Sequence, residues 1–208
     1  QLSRGLGDVY KRQMGMVGEN SKLSHYLSSA HSLMKLAVDS SDTINFFTIG
    51  HRIENQLINI KSAGDLAQLS YLENFTAKPV ESNYFLIPNE IKKCAPKRSL
   101  VIFFADFSRK STQVSIQKLL PLIVPKHFLL LVSLDEKENS LNHLVGNFNP
   151  QQELDLSKML SSYQRQEQFV EFEKRMITQK VVFLNLDETI LFNALQRFYS
   201  HLKNSLFV

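Results

Sequence analysis

The residues best placed to do chemistry in this 208-residue chain stand at the end of one apolar run, Ser99–Phe107, which reads SLVIFFADF. A continuous apolar run is typical of a strand that is buried on both faces of a parallel sheet. Open α/β sheets bind ligands at the carboxyl ends of their strands, so Asp106 is the first candidate site residue. The alternative is structural: Asp106 could cap the loop or the helix that starts near Ser111.

A second carboxylate, Asp187, follows another apolar stretch in the sequence VVFLNLDET. This segment resembles the first motif of the haloacid-dehalogenase-like phosphatases, in which two aspartates flank one residue. The first aspartate of that motif is the nucleophile, but Asn185 stands there, and an amide cannot form the aspartyl-phosphate. We therefore expect Asp187 to cap the last helix, with Glu188 at the positive end of that helix.

The other reactive side chains form no catalytic or metal-binding pattern. The six histidines have no ligand-like spacing, and Cys94 has no acid or base near it in sequence, which indicates a packing role. The sequence has no Gly-x-Ser-x-Gly elbow, Walker loop or Rossmann glycine fingerprint. A hydrolase or phosphotransferase that uses Asp106 or Asp187 stays open as an alternative function, but without a nucleophile–base pair or a phosphate cradle.

The composition is that of an ordinary globular protein, with 43% hydrophobic and 21% charged residues. The single cysteine fits a reducing compartment, so we expect a cytoplasmic domain. No run is long enough for a membrane helix, although the full-length protein could be membrane-anchored. Half of the net charge of +4 comes from residues 1–13, and the remaining basic residues are scattered, so we do not expect nucleic-acid binding.

The first 13 residues are set apart from the rest of the chain. Asp8–Gln13, DVYKRQ, resembles the translated mosaic-end sequence of a transposase-based sequencing library. We therefore expect residues 1–13 to be a non-native library scar and residues 14–208 to form one domain, itself a fragment. The alternative is a disordered native terminus.

The elements that must position Asp106 alternate between helix and strand. Ser21 and Ser62 are predicted helix caps, Pro88 is expected to bend or delay its helix, and Pro121 to interrupt one. Together the elements predict an α/β parallel sheet with one antiparallel edge hairpin. Helices are predicted over 23–38, 63–75, 83–94, 111–124, 154–178 and 188–202, strands over 43–49, 53–60, 99–105, 127–134 and 181–186, and a polar loop over 135–152.

This order of elements, with a hydroxyl at a helix start and a later strand ending in Asp, resembles the von Willebrand factor A-like fold. More narrowly, it resembles the bacterial domain-of-unknown-function family fifty-eight, which is often found beside MoxR-type AAA+ ATPases. The resemblance runs from about Met14 to the C-terminus. The matching segments are SKLSHYLSSAHSLMKLAVDSSDTINFFTIG for the first helix and strand, Glu81-Ser82-Asn83 for the Thr-Asp pair, FADF for the strand-Asp-Phe and NALQRFYSHLKNSL for the closing helix.

The resemblance implies a metal-ion-dependent adhesion site. In such a site Mg²⁺ is held by a first-strand Asp-x-Ser-x-Ser, a Thr hydroxyl and a later Asp, and one position stays open for a partner's carboxylate. Ser82 and Asp106 match the last two ligands, and Asn83 stands where the family has Asp. Asn83 and Phe107 are the residues that we expect to contact the partner.

The Asp-x-Ser-x-Ser strand has no counterpart in the sequence. We therefore expect a three-layer Rossmann-like sheet of the von Willebrand factor A type, with helices on both faces and the central first strand missing. The site would be incomplete: Mg²⁺ is expected in the full-length protein at most, and no tight metal binding in this chain. Without that strand, strands 43–49 and 99–105 would each have an unpaired edge, so we expect the chain to aggregate.

These observations favour a non-catalytic protein–protein interaction module with a partial adhesion site, working with a MoxR-type AAA+ ATPase. The expected partner is a protein, without nucleic acid and without a membrane segment in this chain.

Overall fold

The protein is described from a computed structural model, in which residues 22–67, 82–134 and 167–206 can be described. These residues form a mixed α/β structure with a three-stranded parallel sheet. The helices are α1 (Lys22–Asp39), α2 (Ala63–Ala67), α3 (Ile87–Cys94, after a 3₁₀ turn at Tyr84–Leu86), α4 (Lys110–Ile123), α5 (167–178) and α6 (Glu188–Leu206); the strands are β1 (Ile44–Ile49), β2 (Ile53–Ile60), β3 (Leu100–Phe104), β4 (Phe128–Leu134) and β5 (Val182–Leu186).

Most of the predicted elements are confirmed within one or two residues. The cap at Ser21, the loop over 135–152, residues 1–13 and the rest of the helices predicted over 63–75 and 154–178 lie outside the described residues. Among the described helices, none is long and apolar enough to cross a membrane.

The chain groups into two compact units. Unit 1 contains the residues up to Pro96 and those from Glu188 onward, and unit 2 is Lys97–Asp187. Unit 1 therefore holds α1, α2, α3, α6 and the β1–β2 pair, and unit 2 holds α4, α5 and the other three strands. The single domain over 14–208 stays a prediction.

In unit 1, β1 and β2 form the predicted antiparallel hairpin, with Phe47 opposite Gln56 and Thr48 opposite Asn55. The Asn55 side-chain amide donates a hydrogen bond of 2.8 Å to Thr48 Oγ1, so polar side chains also hold the register. Helix α1 buries the predicted apolar stripe at 3-4 spacing. Its buried apolar members are Tyr26, Ala30, Leu33, Met34 and Ala37.

The predicted cap at Ser62 is confirmed by its geometry. Ser62 Oγ accepts a hydrogen bond of 3.2 Å from the Asp65 N–H, and Asp65 Oδ2 accepts bonds of 3.0 Å from the N–H groups of Lys61 and Ser62. This reciprocal arrangement is a capping box that satisfies the free donors at the start of α2. The bond from the Lys61 N–H, followed by the contacts with Ser62, lowers the pKa of Asp65.

A polar clamp joins the C-terminal ends of α1 and α6. The Tyr199 hydroxyl donates a hydrogen bond to Asp42 Oδ2. Lys203 Nζ lies 3.0 Å from Asp42 Oδ1 and donates a bond of 2.6 Å to the Ser40 carbonyl, which lies in the turn that ends α1. Burial, followed by the bond to Asp42, raises the pKa of Tyr199 above its ordinary value of 10.

We predict that Tyr199→Phe lowers the free energy of unfolding by about 1–2 kcal/mol, because it removes one hydrogen bond to a charged group and keeps the ring. Chemical denaturation at pH 7 measures this change. Ser205→Ala on the same helix is the control, since Ser205 bonds only to carbonyls of its own helix. Equal stability of Tyr199→Phe and Ser205→Ala would show that the Tyr199 hydroxyl contributes nothing to the clamp.

In unit 2, the strand order is β3-β4-β5, and all three strands are parallel. Leu130, Leu131 and Val132 of β4 have no exposed surface. The strand buried on both faces is therefore β4, and the prediction for Ser99–Phe107 is corrected, because every residue of β3 is half-buried. The reason is position: β3 lies at one end of the strand order, and β4 lies in the middle.

The two prolines behave differently. Pro88 stands in the first turn of α3, where its missing N–H is not needed, and this agrees with the predicted delay of the helix. Pro121 lies inside α4, so the predicted interruption is wrong. Pro121 is only two residues from the end of α4, and the Val124 N–H still bonds to the Leu120 carbonyl at 2.9 Å, so the helix continues past it.

His127 is buried at the start of β4, with 6% of its surface exposed. Its Nδ1 atom is buried and has no hydrogen-bond partner. Burial, followed by the charge of Lys126, lowers the pKa of His127 below its ordinary value of 6.5. Protonation of the imidazole therefore opposes folding.

We predict that the chain loses stability as the pH falls below 6.5, because the unfolded chain then binds a proton on His127 that the folded chain resists. His127→Gln removes this titration, so the variant should lose less unfolding free energy between pH 7.5 and 5.5 than the wild type. His201→Gln, at an exposed position of α6, is the control. An unchanged pH slope in His127→Gln would refute the assignment.

Candidate functional site

Asp106 lies in the loop between β3 and α4, at the carboxyl end of the parallel sheet. Its Oδ1 atom accepts hydrogen bonds from the Ser108 N–H at 3.2 Å and from Ser108 Oγ at 2.6 Å. Its Oδ2 atom lies 3.3 Å from Arg109 Nε, and 28% of the side chain is exposed. The first contacts are those of an aspartate that closes a turn on its own backbone two residues on.

The loop is also tied to the first turn of α4. The buried Gln113 side chain donates a hydrogen bond of 2.8 Å to the Phe107 carbonyl. Arg109, the residue before the first residue of α4, has extended backbone, and its side chain makes no capping hydrogen bond. Asp106 thus has the position expected for a site residue and the bonds expected for the structural alternative.

Phe107 is at the centre of an aromatic cluster in unit 2. It has no exposed surface. Its ring stacks on Phe172 at a centroid distance of 5.5 Å, meets Phe183 edge-on at 5.5 Å, and lies 6.4 Å from Phe103. The prediction that Phe107 contacts a partner is therefore corrected: its side chain is fully buried and packs on other aromatic rings.

We predict that Phe107→Ala lowers the free energy of unfolding by about 3–5 kcal/mol, the usual cost of removing a buried Phe. Thermal and urea unfolding of the purified chain measures this loss. Phe85→Ala is the control, because Phe85 is 59% exposed and should change stability by less than about 0.5 kcal/mol. Similar effects of the two substitutions would contradict the core assignment.

Ser82 and Asn83 lie in unit 1, beside the carboxyl end of β1. Ser82 Oγ donates a hydrogen bond of 3.0 Å to the Ile49 carbonyl, and the Asn83 N–H donates one of 2.8 Å to the Gly50 carbonyl. A hydroxyl that gives its only proton to a carbonyl keeps its oxygen lone pairs for another donor or for a cation. Both residues are half-buried, so a ligand can reach them.

Ser82 belongs to unit 1, and Asp106 belongs to unit 2. Within the described residues, no group of three or more His, Cys, Asp or Glu side chains could hold a metal ion. A surface depression of about 550 Å³ lies elsewhere in unit 1, along α3, and it is lined by Leu86, Asn89, Glu90, Lys92 and Lys93. It contains neither candidate residue.

Asn185 and Asp187 come at the end of β5. Asn185 is opposite Ser133 of β4, and Asp187 directly precedes the first residue of α6. Asp187 therefore occupies the position at which a helix cap stands. Strands β3 and β5, which precede Asp106 and Asp187, are separated by β4 and so lie about 10 Å apart.

The sequence reasoning missed a feature at the opposite edge of this sheet. Each of the three parallel strands is preceded by at least one exposed basic residue: Lys97 and Arg98 before β3, Lys126 before β4 and Lys180 before β5. Along the chain these residues looked scattered. The signal that could have found them is a Lys or Arg before every predicted parallel strand.

A comparison with models of known protein families found no match. Searches of the curated proteins and of the solved structures likewise gave no significant match.

Proposed function

We propose that this chain is a non-catalytic protein–protein interaction module of the von Willebrand factor A type, with a partial metal-ion-dependent adhesion site. The observation that carries the proposal is the division of the strands into an antiparallel pair, β1–β2, and a parallel triple, β3-β4-β5. A sheet of that type without its central first strand would consist of two such parts. The resemblance of the motifs around Ser82 and Asp106 adds to this support.

The ligand chemistry of the two site residues fits a weak site. Mg²⁺ requires near-octahedral oxygen coordination and keeps waters where the protein supplies few ligands. Ser82 offers an oxygen whose proton is already donated to Ile49, and Asp106 offers a half-exposed carboxylate. The proposal requires one cation to be shared by these two residues. The Arg109 guanidinium beside Asp106 opposes a cation there, because like charges repel.

We predict that isothermal calorimetry detects no sub-micromolar binding of Mg²⁺ or Mn²⁺ to the 208-residue chain. Any weak binding should be lost in Asp106→Asn and strengthened about thirtyfold in Arg109→Gln, since a positive charge about 4 Å away repels a divalent cation by roughly 2 kcal/mol. Lys110→Gln, on the next residue, is the control. Sub-micromolar binding, or the same affinity in Asp106→Asn, would contradict the assigned site.

The proposed partner is a MoxR-type AAA+ ATPase, and this can be tested with the ATPase encoded nearest to this gene in its source genome. We expect the immobilised chain to bind that ATPase in biolayer interferometry and expect Asn83→Arg, at the exposed side of the candidate site, to weaken the binding. Asn89→Arg on α3 is the control. If both variants bind as tightly as the wild type, Asn83 is not part of the contact. If the wild-type chain does not bind the ATPase, this partner is rejected.

The second candidate function, a hydrolase or phosphotransferase that uses Asp106 or Asp187, makes a different prediction. Such an enzyme should hydrolyse p-nitrophenyl phosphate, with loss of activity in Asp106→Asn or Asp187→Asn. We expect no hydrolysis above the buffer rate. Activity that disappears in either variant would favour the enzyme over the interaction module.

A further inference from the structure

The edge of the parallel sheet at which its strands begin is strongly basic. We define the basic edge as Lys97, Arg98, Lys126 and Lys180, all of which are exposed. Leu100 is opposite Phe128, and Leu130 is opposite Val182, so the residues before the three strands lie at the same edge. Neighbouring strands are about 5 Å apart, which brings the four cations onto one side of unit 2.

The segments that lead into the strands, 95–99, 124–127 and 179–181, contain no Asp or Glu. On the neighbouring helix α5, Arg175 is paired with Glu171 at 2.5 Å, so Arg175 adds little positive charge to the basic edge. The Arg98 guanidinium lies 5.9 Å from the centre of the Phe128 ring, which fixes one cation across β3 and β4.

Two exposed aliphatic side chains lie on the helices that lead to β4 and β5. Leu122 is 65% exposed and Ile177 is 67% exposed, the two highest values among the exposed large apolar side chains of the described residues. Each lies in the last turn of a helix that leads to a strand of this sheet. Ile177 is linked to the basic edge directly, because the Lys180 N–H donates a hydrogen bond of 3.0 Å to the Ile177 carbonyl.

The turns after α4 and α5 thus have the same pattern: an exposed aliphatic residue at the end of the helix is followed three or four residues later by an exposed lysine. In α4 these residues are Leu122 and Lys126, and in α5 they are Ile177 and Lys180. The Lys126 N–H bonds to the Ile123 carbonyl at 3.2 Å, as the Lys180 N–H does to that of Ile177. In both turns a backbone hydrogen bond therefore ties the lysine to the last turn of the preceding helix.

We propose that the basic edge, together with Leu122 and Ile177, docks on the surface of an anionic phospholipid bilayer. Each lysine or arginine near such a surface contributes about 1 kcal/mol of attraction. Aliphatic side chains that protrude from the protein enter the boundary between headgroups and acyl chains, where their burial adds to the attraction. This contact is peripheral and requires no helix that crosses the membrane.

The kind of side chain distinguishes a bilayer from other anionic partners. Single-stranded nucleic acids are bound by exposed aromatic side chains on which bases stack, and the exposed apolar residues at this edge are aliphatic. Contacts with an acidic protein centre on anchors in well-packed pockets, whereas Leu122 and Ile177 protrude from helix ends. The inference does not depend on the proposed adhesion site, since none of its residues belongs to that site.

The test is co-sedimentation of the full 208-residue chain with vesicles of phosphatidylcholine alone and of phosphatidylcholine with 30% phosphatidylserine. We expect binding to the anionic vesicles only, weakened by 0.5 M NaCl. Lys126→Glu/Lys180→Glu should lower the partition coefficient at least twentyfold, and Leu122→Ser/Ile177→Ser at least fivefold. The control is Val114→Ser/Val170→Ser, which replaces exposed valines of the same two helices about 10–12 Å further from their ends.

Anionic binding that is lost in the edge variants and kept in the valine variant supports the proposal. Binding that is equal on both kinds of vesicle, absent on both, or equally reduced by the valine variant overturns it. Binding of a fluorescent 20-nucleotide RNA that Lys126→Glu/Lys180→Glu abolishes, without vesicle binding, would assign the edge to nucleic acid instead. Circular dichroism of each variant checks that the substitutions leave the fold intact.

Discussion

The parallel pairing of β4 between β3 and β5 is the constraint on which the rest of unit 2 depends. Leu130, Leu131 and Val132 are fully buried. The middle strand can be buried in this way only when both neighbouring strands and the covering helices are in place. Parallel strands also begin at one edge and end at the other. The parallel pairing therefore places the carboxylates Asp106 and Asp187 at one edge of the sheet and the residues of the basic edge at the other.

Local patterns predicted much of this structure. The hairpin, the bounds of α1 and the cap at Ser62 depend on residues that are neighbours in sequence, and all three are confirmed. The clamp between Asp42 and Tyr199 could not be predicted, because it joins residues 157 positions apart and neither residue type is distinctive alone. A packed helix end also made Pro121 tolerable where local propensity predicted a break.

The candidate site shows the same limit. The position of Asp106 after an apolar strand was visible in the sequence, but its bonds to Ser108 and Arg109 were not. The motif resemblance wrongly predicted that Phe107 contacts a partner, because a resemblance indicates the residue type at a position but not whether its side chain is exposed. The role of Ser82 depends on where its hydroxyl proton goes, and a contact with Ile49 that spans 33 residues decides this.

In the proposed adhesion site, Ser82 and Asp106 are two of the ligands, and a further strand supplies the others. The most direct measurement is a crystal structure, with Mn²⁺ present, of the chain carrying the residues that precede Met14 in its source genome. We predict a strand ending in Asp-x-Ser-x-Ser that pairs with β1 and β3, and one Mn²⁺ ion in contact with Ser82 Oγ and Asp106. Upstream residues that join neither strand, or a Mn²⁺ ion bound away from both side chains, would contradict it.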